Sequence, residues 1–238
     1  MRTRFFIQLL ARGALLLGSA QVAAAAAPFE DSMAQRTLAC TACHGDQGRA
    51  GPDGYYPRIA GKPAGYLYNQ LLNFREGRRH YALMTGLLDP LSNAYLKEVA
   101  EYFSALNLPY PAPLASKASS TSLQRGETLA MRGDASINVP ACTQCHGEAL
   151  TGVEPNVPGL LGLPRDYLNA QLGSWITGQR RAHAPDCMAQ VTRKMTADDV
   201  TAVSSWLAGR PLPGNTRPVR ALVATASGTN ATRCGSAP

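Results

Sequence analysis

Cys40 and Cys43 are followed at once by His44, and Cys142 and Cys145 by His146, in the pentads Cys-Thr-Ala-Cys-His and Cys-Thr-Gln-Cys-His. Two thiols at this spacing with an adjacent imidazole form the C-x-x-C-H signature of covalently attached haem c. Each thiol adds to a vinyl group of the porphyrin, and the imidazole becomes the proximal ligand of the iron. Two copies imply two haem c groups, tethered by Cys40, Cys43, Cys142 and Cys145 and ligated by His44 and His146. The chemistry of such centres is one-electron exchange.

Other uses of paired cysteines fit less well. A zinc ribbon places its two pairs about 15–20 residues apart, whereas these pairs belong to separate halves of the chain. A thioredoxin-type dithiol needs a βαβ setting, and no β-branched strand run flanks either pair.

A low-spin carrier needs a second axial ligand, and methionine sulfur in that place favours ferrous iron and raises the potential. Met84 lies forty residues after His44, and Met188 forty-two after His146. Met33, Met131 and Met195 do not form equivalent pairs, so Met84 and Met188 are the expected ligands. His80 and His183 are the rival ligands, although they fall out of register when Gly77 is set on Gly178. Cys187, directly before Met188, has two open fates. As a thiolate it could bind iron and lower the potential; as an oxidised partner of Cys234 it would staple the tail across the Met188 loop.

An internal repeat supplies the elements that position these groups. Tyr56-Pro57 and Gly61 correspond to Val157-Pro158 and Gly162; Tyr66, Gln70, Phe74 and Gly77 correspond to Tyr167, Gln171, Trp175 and Gly178. The Arg78-Arg79 pair is answered by Arg180-Arg181. Two copies of one helical domain are the simplest account. Apolar spacing predicts helices over 64–76 and 167–177, each stopped by a glycine. A closing helix from Ser92 sets Leu96, Val99, Ala100, Phe103 and Leu106 on one side, and Thr196 to Asp199 resembles a capping box ahead of Val200, Val203, Trp206 and Leu207. Phe74, Trp175, Tyr102 and Trp206 read as ordinary core packing. The expected fold is all-α: two tandem cytochrome c domains, each a few helices around covalent haem.

The boundaries follow from composition. Arg2, Arg4 and Arg12 precede an apolar and alanine-rich run, which reads as a signal peptide over 1–27 and implies export to the periplasm. An uncleaved anchor, giving membrane association, is the alternative; after cleavage no membrane span is expected. The first domain then covers 28–108 and the second 123–210. Between them 109–122 is a linker rich in Pro, Ser and Ala, and 211–238 forms an irregular tail. Removing the three signal arginines takes the formal charge from +7 to +4, and four haem propionates would nearly cancel that. Nucleic acid is therefore not an expected partner.

These motifs, with Cys-His-Gly, Pro-x-x-x-Gly, Tyr-Leu-x-x-Gln-Leu, Gly-x-Arg and the distal methionine, resemble the tandem di-haem cytochromes c of the cytochrome c4 type over about 34–207. The resemblance implies haem edges facing one another across a domain interface. It also implies that the carbonyls of Pro57 and Pro158 accept from the proximal imidazoles. Cys187-Met188 with its insertion, and the tail with Cys234, depart from the pattern. The expected role is a non-enzymatic carrier of single electrons. Its partners would be redox proteins docking transiently: a quinol-oxidising respiratory complex or a periplasmic dehydrogenase as donor, and a terminal oxidase as acceptor. The alternatives are a cytochrome subunit of a stable dehydrogenase complex and a di-haem enzyme acting on a small sulfur compound through Cys187.

Overall fold

The computed structural model describes residues 30–51, 54–220 and 234–237. The expected signal peptide, the tail stretch 221–233 and residue 238 lie outside them. The first half supplies α1 (Met33–Arg36), α2 (Leu38–His44), α3 (Ala64–Arg75), α4 (Ala82–Leu88) and α5 (Asn93–Ala105). The second supplies α6 (Ser120–Met131), α7 (Thr143–His146), α8 (Arg165–Ile176), α9 (Cys187–Thr192) and α10 (Ala197–Ala208). From Ser32 onward both halves belong to one compact unit.

Helix α5 shows why the repeat folds as it does. Ser92 caps it by accepting from the Tyr95 amide at 3.2 Å, and Leu96, Val99, Ala100 and Phe103 fall on the buried stripe. Val99, Ala100 and Phe103 pack on Leu67 of α3, with Ile59, Leu71 and Leu106 around them. In α10 the Thr196 hydroxyl accepts from the Asp199 amide while the Asp199 carboxylate accepts from the Thr196 amide, a complete capping box. The core of this half is larger and joins Leu129, Leu161, Leu163, Leu168, Val203, Trp206 and Leu207.

Three features depart from the expectation. Helix α6 begins inside the stretch expected to be linker, because Ser119 caps it by accepting from the Ser122 amide; its apolar face is carried by Leu123, Leu129 and Ala130 around Gly126, too sparse to register as a period. The rest of the connector is pinned by Arg58, which donates to the carbonyls of Leu108 and Pro109 and stacks 3.9 Å from the Tyr110 ring centre. A small sheet of β1 (Gly152–Glu154), β2 (Val157–Pro158) and β3 (Val219–Arg220) brings part of the expected irregular tail into the fold. β1 pairs antiparallel with β2 and parallel with β3. Among the described residues no helix is long and apolar enough to cross a membrane.

Candidate haem sites

Helix α2 places Cys40, Cys43 and His44 within one turn, so the three side chains share a face. Just past it the chain reverses at Gly45, with φ of +74° and a hypothetical Cβ only 2.3 Å from the Ala50 carbonyl oxygen, so that only glycine fits. The next loop returns Pro57 over the imidazole, held by the Ile59 amide donating to the Gly48 carbonyl at 2.8 Å. The second half repeats this with the Leu160 amide and the Leu150 carbonyl at 2.9 Å.

The outcome is the same in both halves. His44 Nδ1 lies 2.7 Å from the Pro57 carbonyl, and His146 Nδ1 lies 2.7 Å from the Pro158 carbonyl. A carbonyl can only accept, so Nδ1 carries the proton and Nε2 keeps its lone pair for a metal. Both rings are buried, at 8% and 7% exposure. Burial lowers both pKa values, opposed by the proline carbonyls and aided by Arg79 at His44 and by Lys62 at His146. Each imidazole is thus held neutral, the state that ligates.

His44, His146, Met84, Met188, Cys40, Cys43 and Cys145 all line one cavity of about 2360 Å³ that runs between the halves. Met84 stands in α4 and Met188 in α9, both half-buried. Cys142 is not part of that wall. Its sulfur lies 3.9 Å from the Leu129 carbonyl, and burial pushes its thiol up to about 11. None of the four motif cysteines is taken up in a disulfide. Among the described residues no group of three or more His, Cys, Asp and Glu side chains is arranged to hold a metal by itself.

The rival ligands are occupied differently. Arg78 Nη2 lies 3.1 Å from His183 Nε2 and donates to it, which uses the lone pair that a metal would need. Cys187 is bonded to Cys234, with S–S 2.02 Å and Cα–Cα 5.6 Å, so it has no thiolate to offer. His80 is exposed and lines the cavity.

Arg79 and Arg180, read in the sequence only as repeat markers, Phe74 and Trp175, read as core, and Lys62, which no motif singles out, complete the cavity. Arg180 is 5% exposed and Lys62 5%, and Arg79 is half-buried beside them. None of the three takes part in an ion pair among the described residues. Their hydrogen bonds go to uncharged side chains and backbone: Gln70 and Gln171 for both arginines, the Tyr66 hydroxyl also for Arg180 at 3.5 Å, and the Gly159 carbonyl for Lys62 at 3.2 Å. Phe74 and Trp175 line this cavity, outside both cores, and carry the Arg79 and Arg180 guanidiniums 4.2 and 3.8 Å above their rings. Core packing holds for Trp206 and fails for these two. The Trp175 indole N–H is buried with no partner. The signal available in the sequence was Gln70 itself, a polar residue on an otherwise apolar helix stripe.

Buried cations without counter-ions are costly, and an orphaned indole donor adds to the deficit. A large, mostly apolar cavity with these groups in its wall fits a flat apolar molecule bearing acidic substituents. Haem, with its propionates, is such a molecule, and the cysteines and neutral imidazoles supply its covalent and axial attachments.

No family model matches the chain. It is 39% identical over 198 residues to a thiosulfate dehydrogenase electron acceptor of Thiomonas intermedia, covering 83% of this chain and 87% of the relative. Cytochrome c4 of Pseudomonas aeruginosa is 30% identical over 197 residues, covering 82% and 94%. The crystal structure of reduced recombinant cytochrome c4 from Pseudomonas stutzeri superposes with a TM-score of 0.64 at 30% identity, over 77% of this chain and 99% of that one. With both pentads, both imidazole–carbonyl pairs and the helical repeat in place, the chain belongs to the cytochrome c4 family of di-haem c-type cytochromes.

Proposed function

We propose that this chain is exported to the periplasm, carries one haem c on each pentad, and passes single electrons from a thiosulfate-oxidising dehydrogenase to a respiratory acceptor. The observation that carries the choice of donor is the 39% identity to a protein named as the electron acceptor of thiosulfate dehydrogenase, over 87% of its length. Haem supplies a one-electron iron couple when bound. The chain does the rest. Cys40 with Cys43, and Cys142 with Cys145, tether the porphyrins; His44 and His146 offer Nε2 to the irons while Pro57 and Pro158 hold the rings. Met84 and Met188 would supply the second protein ligand to each iron, and Arg79, Arg180, Lys62 and the Trp175 indole would receive the acidic substituents. Outer-sphere transfer asks for no substrate pocket beyond this. A sulfur-oxidising centre at Cys187 loses its support, since that sulfur is bonded to Cys234.

Two measurements test the proposal. Made in a host that attaches haem c, the wild type is expected to gain the mass of two haems, and Cys40→Ala/Cys43→Ala or Cys142→Ala/Cys145→Ala the mass of one. Mixed with a thiosulfate dehydrogenase and thiosulfate, the oxidised holoprotein is expected to be reduced at both haems; reduction no faster than by thiosulfate alone would remove that donor.

A further inference from the structure

Leu83 and Cys187 occupy equivalent places in the repeat, each directly before its methionine. Their surroundings differ. Leu83 is 66% exposed, whereas Cys187 is bonded to Cys234, forty-seven residues further on. The bond returns the chain end to the segment before Met188. There the Gly235 amide donates to the Pro185 carbonyl at 3.0 Å, and the His183 amide donates to Ser236 Oγ at 3.2 Å. Gly235 is seated so closely that a Cβ would lie 2.3 Å from the Ala184 carbonyl oxygen. The Ser236 carbonyl in turn accepts from Asn69 Nδ2, on α3 of the first half, at 3.1 Å.

The four residues Cys234 to Ala237 therefore grip the Met188 segment and the opposite half together. Asp186 adds a further hold. Its carboxylate caps α9 by accepting from the Ala189 amide at 3.0 Å and also accepts from the Ala182 amide at 2.7 Å. At Met84 the corresponding cap, Tyr81, makes no side-chain hydrogen bond to its helix. Among the described residues no chain segment is bonded across Met84 in the same way.

We propose that the Cys187–Cys234 bond with the Ser236 contacts is a clamp that keeps Met188 on the second iron, so that the two centres differ in how readily their methionine yields. Cys187, Cys234, Ser236 and Asn69 are positioning residues, acting through Met188. The clamp rests on the assignment of Met188 as a ligand. A methionine can leave iron only if its loop moves, and here that movement would strain a covalent crosslink and break contacts to two segments.

The test uses the reduced holoprotein and carbon monoxide, which binds ferrous haem only where the sixth ligand has left. Wild type is expected to bind carbon monoxide more slowly at the second centre than at the first, and Cys187→Ala/Cys234→Ala at similar rates at both, with the second centre's potential lowered. Asn69→Ala/Ser236→Ala, which keeps the crosslink, is expected to speed carbon monoxide entry at that centre about tenfold. Met188→Ala serves as reference. If it opens the second centre while neither paired variant changes uptake, rate or potential, the clamp is refuted alone. If Met188→Ala does not open that centre, the ligand assignment fails and the clamp falls with it.

Discussion

Arg79 and Arg180 lie opposite one another in an antiparallel bridge, and each guanidinium donates to both Gln70 and Gln171, at 2.7 to 3.0 Å. Two like charges thus share two neutral acceptors at the join between the halves. Burial first, and Arg180 second, pushes Arg79 down to about 10, so Arg79 remains protonated at neutral pH. The arrangement stores repulsion that an anion would relieve.

Replacing either arginine with glutamine removes one positive charge beside the cavity. Ferric haem carries one more positive charge than ferrous haem, so losing a nearby cation favours the oxidised form. Both potentials are expected to fall, by on the order of 1 kcal/mol or about 40 mV for one electron. A spectroelectrochemical titration of Arg79→Gln and Arg180→Gln checks this, and unchanged potentials would place the charges away from the redox centres.

Met84 and Met188 sit in different halves, α4 and α9, so their effects should separate. Met84→Ala and Met188→Ala are each expected to remove about half of the near-infrared sulfur-to-iron absorption of the oxidised protein. Each should lower one potential and spare the other. A full band in both variants would exclude them as ligands.

Gly126 marks where α6 meets α10: a Cβ there would lie 2.3 Å from the Ala202 carbonyl oxygen and 2.8 Å from Trp206 Cβ. The nearest obstacle is backbone, which gives little. Gly126→Ala is expected to cost about 2 kcal/mol of stability. Gly86 in α4 has nothing within 4 Å of a Cβ position, and Gly86→Ala is expected to gain about 0.5–1 kcal/mol from helix propensity. Denaturant unfolding of the holoproteins measures both.

A network around Arg125, which donates to Asp134 and Asp199 at 2.7 Å each, is expected to respond to acid. Hydrogen bonds from Ser136, then from Arg125, pull the Asp134 carboxyl from 3.8 down to about 2. Asp199 is also lowered: burial alone would raise it, but the Arg125 and Thr196 hydrogen bonds outweigh that. A folded pKa below the unfolded one means stability fully present above about pH 4 and lost as pH falls toward about 2. Asp134→Asn should be less stable than wild type at pH 7, yet lose less on going from pH 4 to pH 2. Unfolding midpoints across that range decide it; parallel curves for the two proteins would dismiss the network as the acid-sensitive element.

Much of the site was legible in the chain because it is local. Cys40, Cys43 and His44 lie within one helical turn, so their types and spacing suffice to state their chemistry. The helix stops at Gly77 and Gly178, with φ of +71° and +76°, were equally readable, since the left-handed region favours glycine. Helix α6 was not, because Ser119 to Ser122 has the composition of a linker, and only packing on α10 turns it into a buried helix.

The prolines facing the imidazoles entered through the resemblance to the cytochrome c4 type, whereas the sequence by itself determined the two haem motifs, the repeat and the equivalent placing of Met84 and Met188. It did so because covalent attachment and helical spacing are short-range constraints. Tertiary structure decided that Arg79, rather than Arg78, meets Arg180, that Phe74 and Trp175 line a cavity rather than a core, and that the chain end reaches both halves through Ser236. Those relationships join residues about a hundred positions or more apart. Their energies depend on burial and on which charges converge, which exist only once the halves have packed together.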